Sequence, residues 1–495
     1  MKLGYTADAV RAAEQPLLDA GQLDPLMRTA AAGLARVCRE LLTGHHGQIA
    51  GRRVVVLAGS GKNGGDALFA GADLASRGAA VTAVDVFSRP FAAGVSALRA
   101  AGGEVEPLGP AALAALRAAD LVIDGVFGTG AKPGLPEALS SLITDWQAAS
   151  GTGSRADQLV VAVDVPTGVD ASTGTTGEVS VRADHTVTFG AHKAGLLLPG
   201  GAEAAGEITL IDIGLDFEDV IPAVEAPEPA DLVDLWPLPQ PHMHKYSRGV
   251  LGLVAGSQRY PGAGVLAAAG AVSAGLGMLR LLAPATVEAA VLERHPETVT
   301  EPGRVQAWAL GPGAPDSLEM RRALVDAENR SLPVVIDAAG LRLITRPLET
   351  STIVTPHAGE LVGLLGRLTT GGPDRAAVEA QPVTHAVRAA EALGAVVVLK
   401  GNRTVIARPD GTVVAPPPGP ANLATAGTGD VLTGILGALL ATTAGDLAEA
   451  HRIDLARLAG LAVLLHGLAG RHTTHASGLP AVIEELVLEL GERRP

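Results

Sequence analysis

Short runs of aliphatic and β-branched residues recur along this chain, and most end in glycine or aspartate before an Ala- and Leu-rich stretch begins. In the first half these runs are Val54–Leu57, Val81–Phe87, Leu121–Asp124, Val160–Asp164, His185–Phe189 and Ile208–Ile213. They read as buried strands, with helices near 67–77, 91–101, 111–118 and 136–148. Fully apolar strands alternating with helices imply parallel βαβ units covered on both faces. The rhythm breaks where Pro222, Pro227, Pro229, Pro237, Pro239 and Pro241 crowd together with several acids, the composition of a linker. It restarts with Val250–Ala255, Met278–Ala283, Val334–Asp337, Ile353–Thr355, Val396–Leu399 and Thr404–Ala407. The expected fold class is therefore α/β in two domains, 1–215 and 242–495, joined by a Pro-rich linker at 216–241. Within 495 residues each has length enough for its own core.

Aromatic residues make up only 2% of the chain, so the cores must be aliphatic and a base-stacking surface is excluded. A net charge of −14 argues against nucleic-acid and membrane-surface partners, although a local loop still binds a small anion. The single cysteine, Cys38, excludes an internal disulfide and a CxxC zinc site. It follows Val37 in a helical stretch whose Ala30, Leu34, Val37 and Leu41 share a face, and reads as core rather than catalytic thiol. The first residues lack a signal-like apolar segment, and the small-apolar run Val265–Met278 is too short to span a bilayer. A cytoplasmic, soluble protein is expected.

The first strand runs into Ala58-Gly-Ser-Gly-Lys-Asn-Gly-Gly-Asp66. Strand, glycine turn and helix together make an anion-binding arrangement of backbone N–H groups. Three readings compete. A Walker A loop fails, because Val56 and Asn63 occupy two of its fixed positions. A dinucleotide fingerprint fits Gly59, Gly61 and Gly64, with Asp85 at the next strand end. The third reading uses the polar residues Asn63 and Asp66, which such a fingerprint does not need. Asp124 and Asp164 also end strands ahead of glycine loops, so Asn63, Asp124, Asp164 and Thr167 are expected to gather at one sheet edge. An amide, carboxylates and a hydroxyl suit K⁺, Na⁺ or Mg²⁺ better than zinc. The plainer alternative is that each aspartate only caps a helix.

AGSGKNGGD, DGVFGTG, VDVPTGVD and TFGAHKAGLL, in that order, resemble the N-terminal epimerase domain of the NAD(P)H-hydrate repair enzymes, the YjeF N-terminal family. The resemblance spans about residues 1–215. It implies a Rossmann-like three-layer αβα fold and interconversion of the R and S forms of hydrated NADH and NADPH with bound K⁺. It further implies that Asn63, Asp124 and Thr167 ligate K⁺. Lys62, Asn63, Gly64, Gly65 and Asp66, together with Gly125, Val126, Phe127, Gly128, Thr129 and Gly130, would contact substrate. Asp164 would touch the hydrated nicotinamide as acid/base, a role that suits a C–O bond that opens and recloses. Lys62 departs from the family's double Asn. Lys193 has two open readings, a phosphate contact and a solvated surface lysine.

In the second half Asn422-Leu-Ala-Thr-Ala-Gly-Thr-Gly-Asp430 precedes an apolar helix. Its glycines expose N–H groups at a helix start, an anion hole, and Asp430 beside it is placed to accept a hydroxyl proton during phosphoryl transfer. A dipole role for Asp430, a plain loop histidine at His357 and a turn lysine at Lys400 are the bland alternatives. The Gly-Thr-Gly-Asp run resembles the ribokinase-like superfamily. The full series SRGVLGLVAGSQRYPGAGVLAAAGA, LGPG, VVIDAAGL, TPHAGE, VVLKG and NLATAGTGD resembles the ADP-dependent (S)-NAD(P)H-hydrate dehydratase domain over about 242–495. That implies a ribokinase-like αβα fold and hydrated-nucleotide contacts at Ala263, Gly313, His357 and Asp430. Adenine-nucleotide (ADP/AMP) contacts are implied at Lys400, Gly401, Asn402, Arg403, Thr404 and Gly429. The implied reaction phosphorylates the C6 hydroxyl from ADP with Mg²⁺, then eliminates phosphate, leaving AMP and NAD(P)H.

An epimerase feeding the S form to a dehydratase explains both domains in one chain. The small-molecule partners are hydrated NADH and NADPH (NADHX and NADPHX) and ADP, and a homo-oligomer is expected. The alternative is a ribokinase-like kinase for a vitamin precursor, with a regulatory nucleotide-binding first domain.

Overall fold

The computed structural model describes residues 1–130, 133–148, 157–448 and 454–494, and divides the chain into Leu3–Val224 and Glu225–Pro495, the latter joined by Met1–Lys2. Among the described residues no helix is long and apolar enough to cross a membrane.

The first unit holds a parallel sheet of β1 (Arg53–Ala58), β2 (Ala80–Asp85), β3 (Glu104–Pro107), β4 (Leu121–Gly125), β5 (Leu159–Val163), β6 (His185–Phe189) and β7 (Glu207–Ile211). Their spatial order is β3-β2-β1-β4-β5-β6-β7. The chain therefore reverses direction of winding between β1 and β4, and a crevice opens there at the strands' carboxyl ends. Alternate residues of β1 face opposite layers. Val54 and Val56 pack with Leu34, Cys38, Leu42 and Leu74, while Val55 and Leu57 pack with Leu116, Ile143 and Trp146. Cys38 is fully buried and burial pushes its thiol up to about 12, as a core residue requires.

Helix α1 (Lys62–Ser76) starts five residues before the 67–77 expected from its apolar pattern. Its first turn contains Gly64 and Gly65, poor helix formers, but close packing overrides propensity. A Cβ on Gly64 would lie 2.1 Å from the Gly59 carbonyl oxygen, and one on Gly59 would lie 2.0 Å from that of Val126. Strand β3 was not expected. It is a short sheet edge carrying Glu104 and Glu106, whose charges hide the strand signal.

The second unit holds β8 (Val250–Val254), β9 (Met278–Leu282), β10 (Ala307–Leu310), β11 (Val334–Ile336), β12 (Thr352–Val354), β13 (Val396–Leu399), β14 (Val405–Ala407) and β15 (Val413–Val414). The order is β9-β8-β10-β11-β12-β13-β14-β15, parallel as far as β13 and antiparallel beyond it. Helices α2 (Pro261–Ser273), α3 (Ala358–Leu368) and α4 (Thr428–Ala448) cover it. The Ala/Gly run in α2 lets α4 approach at backbone distance: a Cβ on Gly434 would lie 2.1 Å from the Ala267 oxygen.

The segment read as a linker is not all tether. From Glu225 it belongs to the second unit, which buries Trp236 and Leu232. Glu225 is tied by Arg457 at 2.7 Å and Arg408 at 3.0 Å, and these hold its carboxyl below the usual range against the upward push of burial. Pro229 opens a short helix there, which is why proline density misled.

Candidate active sites

In the first unit the crevice between β1 and β4 is lined by Glu14, Lys62, Asn63, Asp66, Thr129, Asp164 and Lys193. The start of α1, just after β1, brings Lys62, Asn63 and Asp66, the loop after β4 brings Thr129, and Asp164 directly follows β5. Asp164 has φ +68°, a left-handed backbone unusual outside glycine and a form of strain that clusters at functional sites. It is buried, and desolvation alone would raise its carboxyl. The ion pair with buried Lys193 and hydrogen bonds from Thr129 (2.8 Å) and Thr188 (3.2 Å) hold it low and ionised.

Lys193 is thus not the solvated surface lysine of one sequence reading. It is 1% exposed, donates to the Phe189 carbonyl at 2.8 Å, and is the counter-charge of the candidate catalytic carboxylate. Asp66 is the opposite case. Burial, then Asp164 and Glu14, push its carboxyl up to about 8, and its Oδ1 has no partner. One cavity therefore holds an ionised and a protonated carboxyl. Glu14 carried no motif to reveal it; it comes from the helix Ala7–Asp19, and its carboxylate lies 3.9 Å from Lys62.

Beside this cavity Asp124 is wholly buried and accepts from the Thr167 hydroxyl at 2.7 Å and the Thr167 N–H at 2.8 Å. The Asn63 amide reaches the Phe127 and Val163 carbonyls, each at 3.1 Å, and a Cβ on Gly128 would strike it. Gly125 packs over the Asn63 backbone, Gly65 packs on Met27 and Phe91, and the Val126 side chain points into the core.

In the second unit Asp337, at the end of β11, bridges Lys400 (2.6 Å) and Thr433 of α4 (2.9 Å). Asp430, one turn earlier on α4, is pushed up to about 7 by burial and by Asp337, with Lys400 opposing. Gly429 faces the Lys400 ammonium, 3.7 Å from where its Cβ would be, and Gly427 takes φ +93° to start the helix. His357 caps α3, its Nδ1 accepting from the Glu360 N–H at 3.2 Å, and its backbone bridges to Lys400. Ala263 and Gly313 touch: a Cβ on Gly313 would lie 2.4 Å from that of Ala263. Residues Gly401 and Asn402 are exposed, and Arg403 and Thr404 half-exposed. Asp337 lay inside a motif but had no assigned role, because its partners come from β13 and α4, distant in sequence. A cavity of about 1210 Å³ opens beside this cluster, sharing Gly313 and Glu360 but not lined by Asp430, Lys400 or His357. Among the described residues, no three His, Cys, Asp or Glu side chains assemble as a metal site.

These two sites define a chain of two α/β enzyme units, each with its carboxylates at strand ends or a helix start. Residues 251–490 match the family model described as NAD(P)H-hydrate dehydratase, and 23–195 match that of the YjeF-related protein N-terminus. The bifunctional NAD(P)H-hydrate repair enzyme Nnr of Mycobacterium tuberculosis is 40% identical over 421 residues, 83% of each chain. That of Corynebacterium glutamicum is 32% identical, covering 83% of this chain and 82% of its own. The ADP/ATP-dependent NAD(P)H-hydrate dehydratase of Bacillus subtilis, crystallised with ATP and Mg²⁺, is 29% identical with TM-score 0.45 over 53% of this chain and 96% of its own. The chain belongs to the family of bifunctional NAD(P)H-hydrate repair enzymes, and the kinase alternative is set aside.

Proposed function

We propose that the first unit interconverts the R and S hydrates of NADH and NADPH and that the second dehydrates the S form at the expense of ADP. The observation that carries the first half is two carboxyls in one cavity with opposite surroundings: Asp164 is ion-paired with buried Lys193, while Asp66 is buried with an unpartnered oxygen and pushed up by burial, which suits a base and an acid. As the C6–O bond opens, the Asp66 carboxyl supplies a proton to the departing oxygen and Asp164 takes one from the returning water, and that proton passes back to Asp66 through solvent in the cavity before the next turnover. Thr129 and Lys193 keep Asp164 aimed and charged.

The residues that would hold K⁺ fit it chemically: the Asp124 carboxylate, the Thr167 hydroxyl beside it and the Asn63 amide oxygen are hard donors of low total charge. Asn63, Asp124 and Thr167 would hold K⁺, which would supply a fixed positive charge at this site. Thr167→Ala is then expected to raise the K⁺ concentration giving half-maximal epimerisation by about tenfold, the loss of one good ligand contact. A K⁺ titration of the full chain in a Na⁺ background measures it.

In the second unit Asp430 accepts the C6 hydroxyl proton as the phosphoryl group arrives. The N–H groups at the start of α4 and Lys400 face the transferring phosphate, and Mg²⁺ enters with the nucleotide rather than on a protein cage. Phosphate then leaves C6 as the ring nitrogen donates its electron pair, and loss of a proton from C5 of the resulting iminium restores the dihydronicotinamide ring. The test is recovery of reduced-nicotinamide absorbance from mixed R and S hydrates with ADP and Mg²⁺. Full recovery is expected. Recovery that stops when the S form is spent would remove the epimerase assignment, and no recovery with ADP would remove the ADP-dependent dehydratase assignment.

A further inference from the structure

The large cavity of the second unit has a charge pattern that the chemistry at Asp430 does not use. In a chain of net charge −14 its lining carries three arginines, Arg259, Arg342 and Arg367, against two carboxylates, Glu319 and Glu360. The carboxylates do not neutralise the arginines. Glu360 is committed to the His357 N–H at 2.9 Å and lies 3.6 Å from its ring. Among the described residues, none of the three arginines has a carboxylate within ion-pair distance.

Arg367 is built into place. Its Nη2 donates to the Leu341 carbonyl at 2.7 Å and its Nε to that of Ile344 at 3.3 Å, which fixes the plane of the fork. Its remaining nitrogen, Nη1, lies 3.5 Å from where a Cβ on Gly363 would be, and Gly363 lines the same cavity. Arg342 is close enough that, with burial, it pulls the Arg367 guanidinium down. Arg342 itself is exposed and bonds to nothing among the described residues. Two guanidinium groups that line one cavity with no carboxylate in ion-pair reach offer an anion a site, and guanidinium forks match phosphate oxygens.

The cavity exceeds the roughly 300–1,000 Å³ that suits a drug-sized ligand, and it reaches the catalytic cluster at Gly311, where a Cβ would lie 1.9 Å from the Asp337 carbonyl oxygen. We propose that Arg342 and Arg367 form a phosphate subsite for the dinucleotide whose nicotinamide end lies at Asp430. This rests on the dehydratase reading above. The shared chemistry is a phosphate oxygen array, supplied either by the diphosphate bridge of both hydrates or by the 2′-phosphate of the NADPH form.

The test compares wild type, Arg342→Ala and Arg342→Lys as full chains, with the S hydrates of NADH and NADPH varied at saturating ADP and Mg²⁺. Arg342→Ala is expected to raise KM about tenfold with the loss falling on KM rather than kcat, and Arg342→Lys to recover part of it. A rise for both hydrates assigns the diphosphate, and a rise for the NADPH form alone assigns the 2′-phosphate. An unchanged KM for both hydrates overturns the proposal, as does a rise in KM for ADP alone. Wild-type turnover reports separately on the functional reading. Should it be absent, NADPH and NADH binding to the same proteins, followed by their fluorescence, still reads the subsite: equal affinities for wild type and Arg342→Ala overturn it.

Discussion

Asp164→Ala is expected to lower the rate of R-to-S interconversion by about 10²–10⁴-fold, the range for loss of a positioned acid or base, while dehydration of pre-formed S hydrate continues. The prediction follows from three features that meet at one residue: the left-handed backbone, the deep burial and the Lys193 counter-charge. The same features make the alanine variant dangerous to the fold. It leaves the Lys193 ammonium buried and unpaired, a defect that costs about 3–5 kcal/mol. Two further variants separate chemistry from stability. Asp164→Asn keeps the volume and one accepting oxygen but not the charge, and Asp164→Ala with Lys193→Met removes both charges together. Chiral separation of the two hydrates after equilibration reads the rate, and a thermal melt reads the fold. Interconversion at wild-type rate in a folded Asp164→Asn protein would remove the catalytic assignment.

The sheets were legible because their strands are buried on both faces, so Val54–Leu57 and Val396–Leu399 stand out without any partner being known. Strand ends followed by glycine loops also singled out Asn63, Asp124 and Asp164, since a parallel sheet brings such ends to one edge, and Asp430 was read from the Gly-Thr-Gly-Asp run ahead of an apolar helix. What stayed hidden depends on pairing across the fold. Lys193 reads as an ordinary lysine until β6 and β5 lie side by side and place it on Asp164. Glu14 and Asp337 gain meaning only from partners on other elements. Strand β10 was missed for a local reason: Ala307-Trp-Ala-Leu310 lacks the β-branched residues that mark its neighbours, although it is fully buried. The Pro-rich segment shows the reverse error, since composition marks where a chain turns and not whether Trp236 will be buried.

The second unit should show a different pH signature. A general base must be ionised to accept a proton, and Asp430 is held near 7 by burial and Asp337. Dehydration of the S hydrate is therefore expected to climb from pH 6 to pH 8 and level off above it. Asp430→Asn should lower the rate by about 10²–10⁴-fold and flatten that profile. Lys400 opposes the shift, so Lys400→Met should push the rise to higher pH as well as weaken nucleotide binding. Stability moves the other way. A carboxyl whose folded value is raised favours the fold while protonated and loses that advantage as pH rises through about 7. Asp430→Asn should thus hold or raise the melting temperature at pH 8 while activity falls. A variant that lost activity and melted earlier at pH 8 would point instead to a structural role for Asp430. A wild-type profile flat between pH 6 and pH 8 would mean that a group other than Asp430 takes the proton.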